Sequence, residues 1–379
     1  MKSNRLYPVT VVGSWPRPQW LLDAAKRRSG SLPELQDQAT LLAIKYQEDA
    51  GVDIISDGEQ RRDNFYSFIA ERLEGIRLMT MADLLEYVED KAAFENLLTA
   101  LDVPAFAIKN PTVVGKVQRR RPLVLDDYHF LRKHTGKPVK VTLPGPYLLS
   151  RSMWVKGLSE KDYPAGESLA DDIVAALREE LKELAAAGAD IVQFDEPVLT
   201  EILLAGKSAT RTFMCAALAA AASPEGELER AVELINRVVE GIDGPTIAVH
   251  VCRGNWSRNE DVLLAGPYDA LMPYLSRMKV GQFVLEYATP RAGSTEALQQ
   301  LPVRSQIGLG AVNPRTSSLE KVEEVVSQVR QTEKFVSPER IYLNPDCGFG
   351  TFAERPVADI KTAFAKLSVL AAAAERLRN

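Results

Sequence analysis

Eight short runs rich in β-branched residues recur along the chain, and each ends in a glycine or a polar signal. They read "VTVVGS" (9–14), "VDIISDGE" (52–59), "PVKVTLPGP" (138–146), "ADIVQFDEP" (189–197), "TIAVHVC" (246–252), "QFVLEYA" (282–288), "RSQIGLGAVN" (304–313) and "RIYLNPDCGF" (340–349). Helical patterns separate most of them, such as residues 168–189 and 317–335. In the second of these, Leu319, Val322, Val325, Val326 and Val329 share a face, and Ser317 and Ser318 are placed to cap its start. Nearly continuous apolar strands that alternate with amphipathic helices indicate a parallel α/β sheet covered on both faces. Eight is the number that closes a (β/α)8 TIM barrel. An open doubly wound sheet is the alternative, weakened because no G-x-G-x-x-G turn follows the first run. Residues 77–137 are long for a strand-to-helix connection. They include the helical pattern "MADLLEYVEDKAAFENLLTALDV" (81–103), and we read them as an insertion between the second and third runs. One elaborated domain over residues 1–379 is expected.

Charge and cysteine content narrow the function. The net charge is −5, and the one basic cluster is "QRRRP" at 118–122, so nucleic-acid or membrane-surface binding is not suggested. The N-terminal segment lacks the apolar core of a signal peptide, and the alanine-rich "MCAALAAAA" at 214–222 falls short of the ~18 residues of a membrane span. Three cysteines make no disulfide framework. A cytoplasmic protein with reduced thiols is expected, and its thiolates are then open to a metal.

In a barrel of this kind, chemistry gathers at the C-terminal ends of the strands. Those ends carry Gly13 and Ser14, Asp57 and Glu59, Asp195 and Glu196, His250 and Cys252, Glu286, and Asp346 and Cys347. His250, Cys252, Glu286 and Cys347 offer the mixture of imidazole, sulfur and carboxylate that zinc accepts. Thiolate softness disfavours magnesium and calcium, and the lack of a multi-histidine set disfavours a copper or iron oxygenase site. A plainer reading stands beside this one. An H-x-C pair on a strand is often a buried polar group and a small apolar one, and Cys347 suits an inert core thiol. Glu286 resists that reading, because a carboxylate ending a buried strand must be paired or bound. Cys215, in the apolar context "TFMCAALAA", is expected to be core.

The segments "VHVC", "FVLEYATPRAG" and "ERIYLNPDCGFGT" resemble the zinc-binding segments of the cobalamin-independent methionine synthase family, in its C-terminal catalytic barrel. "VVGSWPRP", "SDGEQRRDNF", "KPVKVTLPGP" and "ADIVQFDEP" match in order, so the resemblance covers nearly the whole chain and is to the short, core-only form. It implies Zn2+ on His250, Cys252, Glu286 and Cys347, and a methyltransferase that makes methionine from homocysteine. It assigns the substrate amino group to Glu59 and Asp195, and the carboxylate to the Gly13–Ser14 turn. The chemistry is coherent: a free thiol has a pKa of ~8.5, and coordination to zinc deprotonates it near neutrality.

The match departs from the family after the seventh run. A family histidine helps to protonate the methyl donor there, whereas this chain reads "IGLGAVNPRTSS", with Asn313 or Arg315 in its place. Neither is a useful acid near pH 7. Asp195 and Asp346 are therefore taken as the catalytic carboxylates, with Glu196 as another option. The donor is 5-methyltetrahydrofolate or a methyl-corrinoid, the latter needing no proton and possible through an accessory methyl-delivery protein. Trp154, in "PGPYLLSRSMW", is the expected donor-binding aromatic, with Tyr147, Trp15 and Trp256 as alternatives. A thiol alkyltransferase of the epoxyalkane–coenzyme M transferase type is the competing reading. Its sulfonate calls for arginines such as Arg17, Arg253, Arg291 or Arg315, and the acidic pair Glu59 and Asp195 argues against it. A barrel with a structural zinc and a binding role, or a metal-free decarboxylase of the porphyrin-processing barrel type, explains the ligand set less well.

Overall fold

Strands that are apolar along their whole length must be covered on both faces, and the helices between them supply that cover. The computed structural model describes residues 5–87, 109–204 and 223–379, together with 91, 92, 95 and 99. An antiparallel ribbon comes first, formed by β1 (Leu73–Thr80) and β2 (Lys109–Arg119). A six-stranded parallel sheet follows: β3 (Lys140–Pro144), β4 (Ile191–Asp195), β5 (Thr246–Val251), β6 (Gln282–Leu285), β7 (Gln306–Val312) and β8 (Ile341–Pro345), paired in chain order. Every residue of β3, β4, β6 and β8 is buried.

The first two apolar runs make isolated parallel bridges to this sheet. Val9 pairs with Leu343 of β8, Thr10 with Ile54, and Ile55 with Val139 beside β3. Backbone bonds back each bridge, including Thr10 N–H to Leu343 O at 2.9 Å and Lys140 N–H to Ile55 O at 2.8 Å.

The helix over 168–189 is observed as Gly166–Ala186, with Leu169, Ile173, Leu177, Leu181 and Leu184 on its buried face. It stops where Gly188 turns to φ +83° and the Ala189 N–H bonds back to Leu184 O at 3.0 Å. That is the left-handed ending only glycine adopts without strain.

The helix expected over 317–335 is shorter, Val322–Thr332, and Leu319 is 52% exposed ahead of it. The cause lies in competing bonds. Glu320 takes the Asn313 N–H at 2.8 Å, and Lys366 takes the Ser318 carbonyl at 2.6 Å, which commits the segment before 321 to loop geometry. Glu324 then accepts the Lys321 N–H at 3.0 Å, so Ser317 and Ser318 are not the cap. The helical pattern at 81–103 begins as the turn Met81–Leu84, and most of its remainder lies outside the described residues, as does Cys215. No helix among the described residues is long and apolar enough to cross a membrane.

One buried carboxylate ties the ribbon to the sheet-covering helices. Glu180 is fully buried on the inner face of Gly166–Ala186. It accepts the N–H groups of Leu123, Val124 and Leu125 at 2.6, 2.7 and 2.8 Å, and Arg119 Nη2 at 2.6 Å. Removing it leaves three buried backbone donors without their acceptor, while Arg119 keeps Glu179 and Glu183. Glu180→Ala is expected to lower unfolding free energy by about 3–5 kcal/mol in a urea titration, whereas a loss under about 1 kcal/mol would contradict the role given to it.

Candidate metal centre

Alternation along a strand sends residues two apart to the same side. His250 near the end of β5 and Cys252 just beyond it therefore face the same way, and the segment after β8 brings Cys347 to meet them. One ligand atom from each of His250, Cys252 and Cys347 lies within 4.8 Å of the others, and Cys347 Sγ stands 3.6 Å from His250 Nε2. His250 Nδ1 lies 3.2 Å from the Val284 carbonyl. A carbonyl only accepts, so Nδ1 carries a proton and Nε2 is the nitrogen turned to the sulfur side. Cys252 is drawn down to about 5, chiefly by its hydrogen bond with Cys347 and against burial, with His250 adding to the effect. The same shared bond pushes Cys347 well up. Two sulfurs beside an imidazole are a donor set that a soft-accepting cation such as Zn2+ fits.

Glu286 ends β6 within the same neighbourhood but outside that group of three. Its Oε2 accepts the Arg253 N–H at 3.0 Å, and its Oε1 lies 3.2 Å from Arg315 Nη1. The structure therefore gathers three of the four expected ligands, with the fourth resting on arginines.

A cavity opens on the cluster. Its wall includes Gly13, Ser14, Glu59 and Asp195 beside His250, Cys252 and Cys347. Glu59 is held there by an unusual backbone, at φ +55°, which an L-residue adopts at a cost. Its Oε1 accepts Thr142 Oγ1 at 2.9 Å, with Arg62 Nη1 at 3.8 Å, while Oε2 is buried without a hydrogen-bond partner. A surface ion pair with Arg61 or Arg62 is thus not its setting. Asp195 accepts Gln193 Nε2 at 2.8 Å, and burial pushes it up to about 7, against the pull of His250. Ser14 accepts the Thr351 N–H at 3.0 Å through its hydroxyl, which seats the Gly13–Ser14 turn on the segment after β8.

Other expected residues are spent on structure. Glu196 accepts the N–H groups of Tyr147 and Leu148 at 2.8 and 2.9 Å, fixing the start of the helix Pro146–Ser152. Asp346 Oδ1 accepts Tyr287 N–H at 2.9 Å and Ala288 N–H at 2.8 Å, its Oδ2 lies 3.4 Å from Arg315, and it is not among the cavity-lining residues. Trp154 donates its Nε1–H to Tyr163 O at 2.9 Å and also lies off the cavity wall. Of the aromatic options only Trp256 lines the cavity, joined by Phe65 and Phe352, which the sequence reading missed. A glycine two residues before Trp256 was the available signal: a side chain at Gly254 would meet the Trp256 ring at 2.1 Å. None of Arg17, Arg253, Arg291 and Arg315 lines the cavity. Arg17 bonds the carbonyls of Arg62 and Glu59, and Arg253 bonds those of Gly266, Glu286 and Ala292.

Comparison with known proteins points one way. The family model described as "Cobalamin-independent synthase, Catalytic domain" matches residues 7–376. The methionine synthase of Saccharolobus solfataricus is 27% identical over 356 residues, covering 92% of this chain and 90% of that protein. That of Thermococcus kodakarensis is 30% identical over 352 residues, covering 90% and 87%. A B12-independent methionine synthase from Shewanella sp. W3-18-1, solved in complex with selenomethionine, superposes with a TM-score of 0.74 at 26% identity, over 98% of each chain. A putative vitamin-B12-independent methionine synthase from Listeria monocytogenes, at 19% identity and a TM-score of 0.68, shares the fold.

Gly13 tests the acidic side of the cavity. A Cβ there would stand 2.4 Å from Glu59 Oε1, so the carboxylate must swing away. If Glu59 receives a substrate ammonium group as the sequence leads one to expect, Gly13→Ala should weaken binding of homocysteine about tenfold by calorimetry with little change in thermal midpoint, and unchanged affinity would remove that expectation.

Proposed function

The chain belongs to the cobalamin-independent methionine synthase family, and from that premise we propose that it transfers a methyl group to the thiol of homocysteine, forming methionine, with Zn2+ on His250, Cys252, Cys347 and, exchangeably, Glu286. The observation that carries this reading is one cavity whose wall holds both the sulfur–imidazole cluster and two carboxylates, Glu59 and Asp195. A thiol bearing an ammonium group satisfies both at once; a thiol bearing a sulfonate satisfies only the first.

Zinc bound there supplies the deprotonation that makes a thiol nucleophilic at neutral pH. The chain's own residues do the rest. Glu59 Oε2, buried and unpartnered, and Asp195 receive the ammonium group. Backbone N–H groups of the Gly13–Ser14 turn receive the carboxylate. The bond from His250 Nδ1 to Val284 O fixes the ring so that Nε2 faces the cluster. Of the two carboxylates taken as catalytic, Asp195 lines the cavity, and it acts by holding the ammonium group and so orienting the thiol. Asp346 acts by holding the Tyr287–Ala288 turn after Glu286. Trp256 takes the donor-stacking role expected of Trp154. The donor is methyl-folate or a methyl-corrinoid, free or on a delivery protein, and a cytoplasmic setting keeps both thiols reduced. In this reading the bridges at 9–10 and 54–55 close the eight runs into a (β/α)8 barrel. The β1–β2 ribbon then belongs to an insertion at about 77–137, within a single domain 1–379.

Zinc-loaded protein given homocysteine with methyl-tetrahydrofolate and methylcobalamin in parallel is expected to form methionine from at least one. Glu59→Gln should raise KM for homocysteine about 10–100-fold with zinc content unchanged. Methionine from neither donor, with product from an epoxide and a sulfonated thiol, would overturn the proposal.

A further inference from the structure

The loop after β5 does more than pass Cys252 into the cluster. Residues 255 and 256 line the cavity, and the loop then reaches Glu260, whose carboxylate leaves its own segment. Glu260 Oε1 accepts Arg315 Nε at 2.7 Å and Asn313 Nδ2 at 2.9 Å, and Oε2 lies 3.0 Å from Arg291 Nη1. Arg315 comes from the segment after β7, and its side chain is wholly buried. The same guanidinium plane continues past Glu260. Its Nη1 reaches Asn255 Oδ1 and Glu286 Oε1, both at 3.2 Å, and its Nη2 lies 3.4 Å from Asp346 Oδ2. One side chain thus touches the cavity loop twice and an expected metal ligand once.

The charges around it are matched. Three carboxylates, Glu260, Glu286 and Asp346, face three guanidiniums, Arg253, Arg291 and Arg315. In a buried network of this kind, moving one carboxylate leaves a charge uncompensated, so the remaining partners must respond. Glu286 is the member with somewhere else to go, because its Oε2 already accepts, at 3.0 Å, the N–H of Arg253, the residue next to Cys252.

We propose that Arg315 is a positioning residue that couples the loop over the cavity to the place Glu286 occupies. With Glu286 on the arginines, as observed, Arg315 holds Glu260 and Asn255, and the loop that carries them is held against the cavity wall. When Glu286 leaves for the sulfur–imidazole cluster, Arg315 loses a partner and its grip on the loop loosens, opening the way for substrate. A thiol that takes Glu286's place at the cluster returns it to the arginines and closes the loop behind itself. This last step rests on the thiol-methylation reading above; the coupling itself does not. Geometry makes the role specific to arginine, since a lysine ammonium is a point charge that cannot span four acceptors in one plane.

Hydrogen exchange of the segment 254–262 tests it, measured by mass spectrometry on the full chain freed of zinc, the state in which Glu286 rests on the arginines, with the homocysteine arm run on the zinc-loaded chain. Glu260→Gln, a conservative change at a half-exposed position, and Arg315→Lys are each expected to speed exchange of that segment about tenfold, leaving β5 and β8 unaffected. Glu286→Gln should speed it as well, and should add nothing in the Arg315→Lys background, because the signal runs through Arg315. Exchange unmoved by Glu286→Gln, or a Glu286→Gln effect undiminished by Arg315→Lys, would overturn the proposal. Homocysteine should slow the same segment in the wild-type protein. The variant pattern without any homocysteine effect would uphold the coupling and refute the methyl-acceptor reading instead.

Discussion

Three strand positions separate β5 from β8, and neighbouring strands run about 4.8 Å apart, so a flat sheet would hold their ends about 14 Å from each other. Yet Cys347 Sγ lies 3.6 Å from His250 Nε2. Sheet curvature makes that contact, and the cavity and its charges are arranged around it. The parallel bridges from Val9 to Leu343, Thr10 to Ile54 and Ile55 to Val139 belong to the same curvature, because they carry the first two runs from the outer edge of β8 towards β3. Function at this site is therefore tied to a property of the whole sheet.

Burial of charge sorts the acidic residues at the strand ends by role. Glu196 and Asp346 are wholly buried; both oxygens of Glu196 are answered by backbone N–H groups, and Asp346 has Oδ1 answered by two such groups and Oδ2 by Arg315. They shape the turns after β3 and β6. Glu59 and Asp195 are also buried, but each turns towards the cavity, and one oxygen of Glu59 has no partner. A carboxylate left that way costs free energy until something cationic arrives. On the proposed account that cost is offset when the substrate ammonium binds, which makes the site selective for an amino acid over other thiols of similar size.

Much of this was legible in the residues. Six of the eight apolar runs are strands and the first two are isolated bridges, a legibility that comes from a fully buried strand having almost no polar freedom along its body. His250 and Cys252 were readable as a pair by alternation, and Cys347 by its place after the last run. What was not legible depended on long-range bonds. The loop before Val322 follows from Lys366 claiming the Ser318 carbonyl from 48 residues away, which no local pattern encodes. The choice of Trp256 over Trp154 at the cavity depends on how two loops fold back. The present position of Glu286 depends on arginines 33 residues before it and 29 after it, and sequence spacing says nothing of where three guanidiniums converge.

The account turns on sulfur. X-ray absorption at the zinc edge of the loaded protein, recorded before and after homocysteine, tests it most directly. The account predicts two sulfur scatterers from Cys252 and Cys347 in the free protein and a third on adding homocysteine. A count that stays at two in the presence of saturating homocysteine, or a protein that forms methionine at full rate with every transition metal removed, would contradict it.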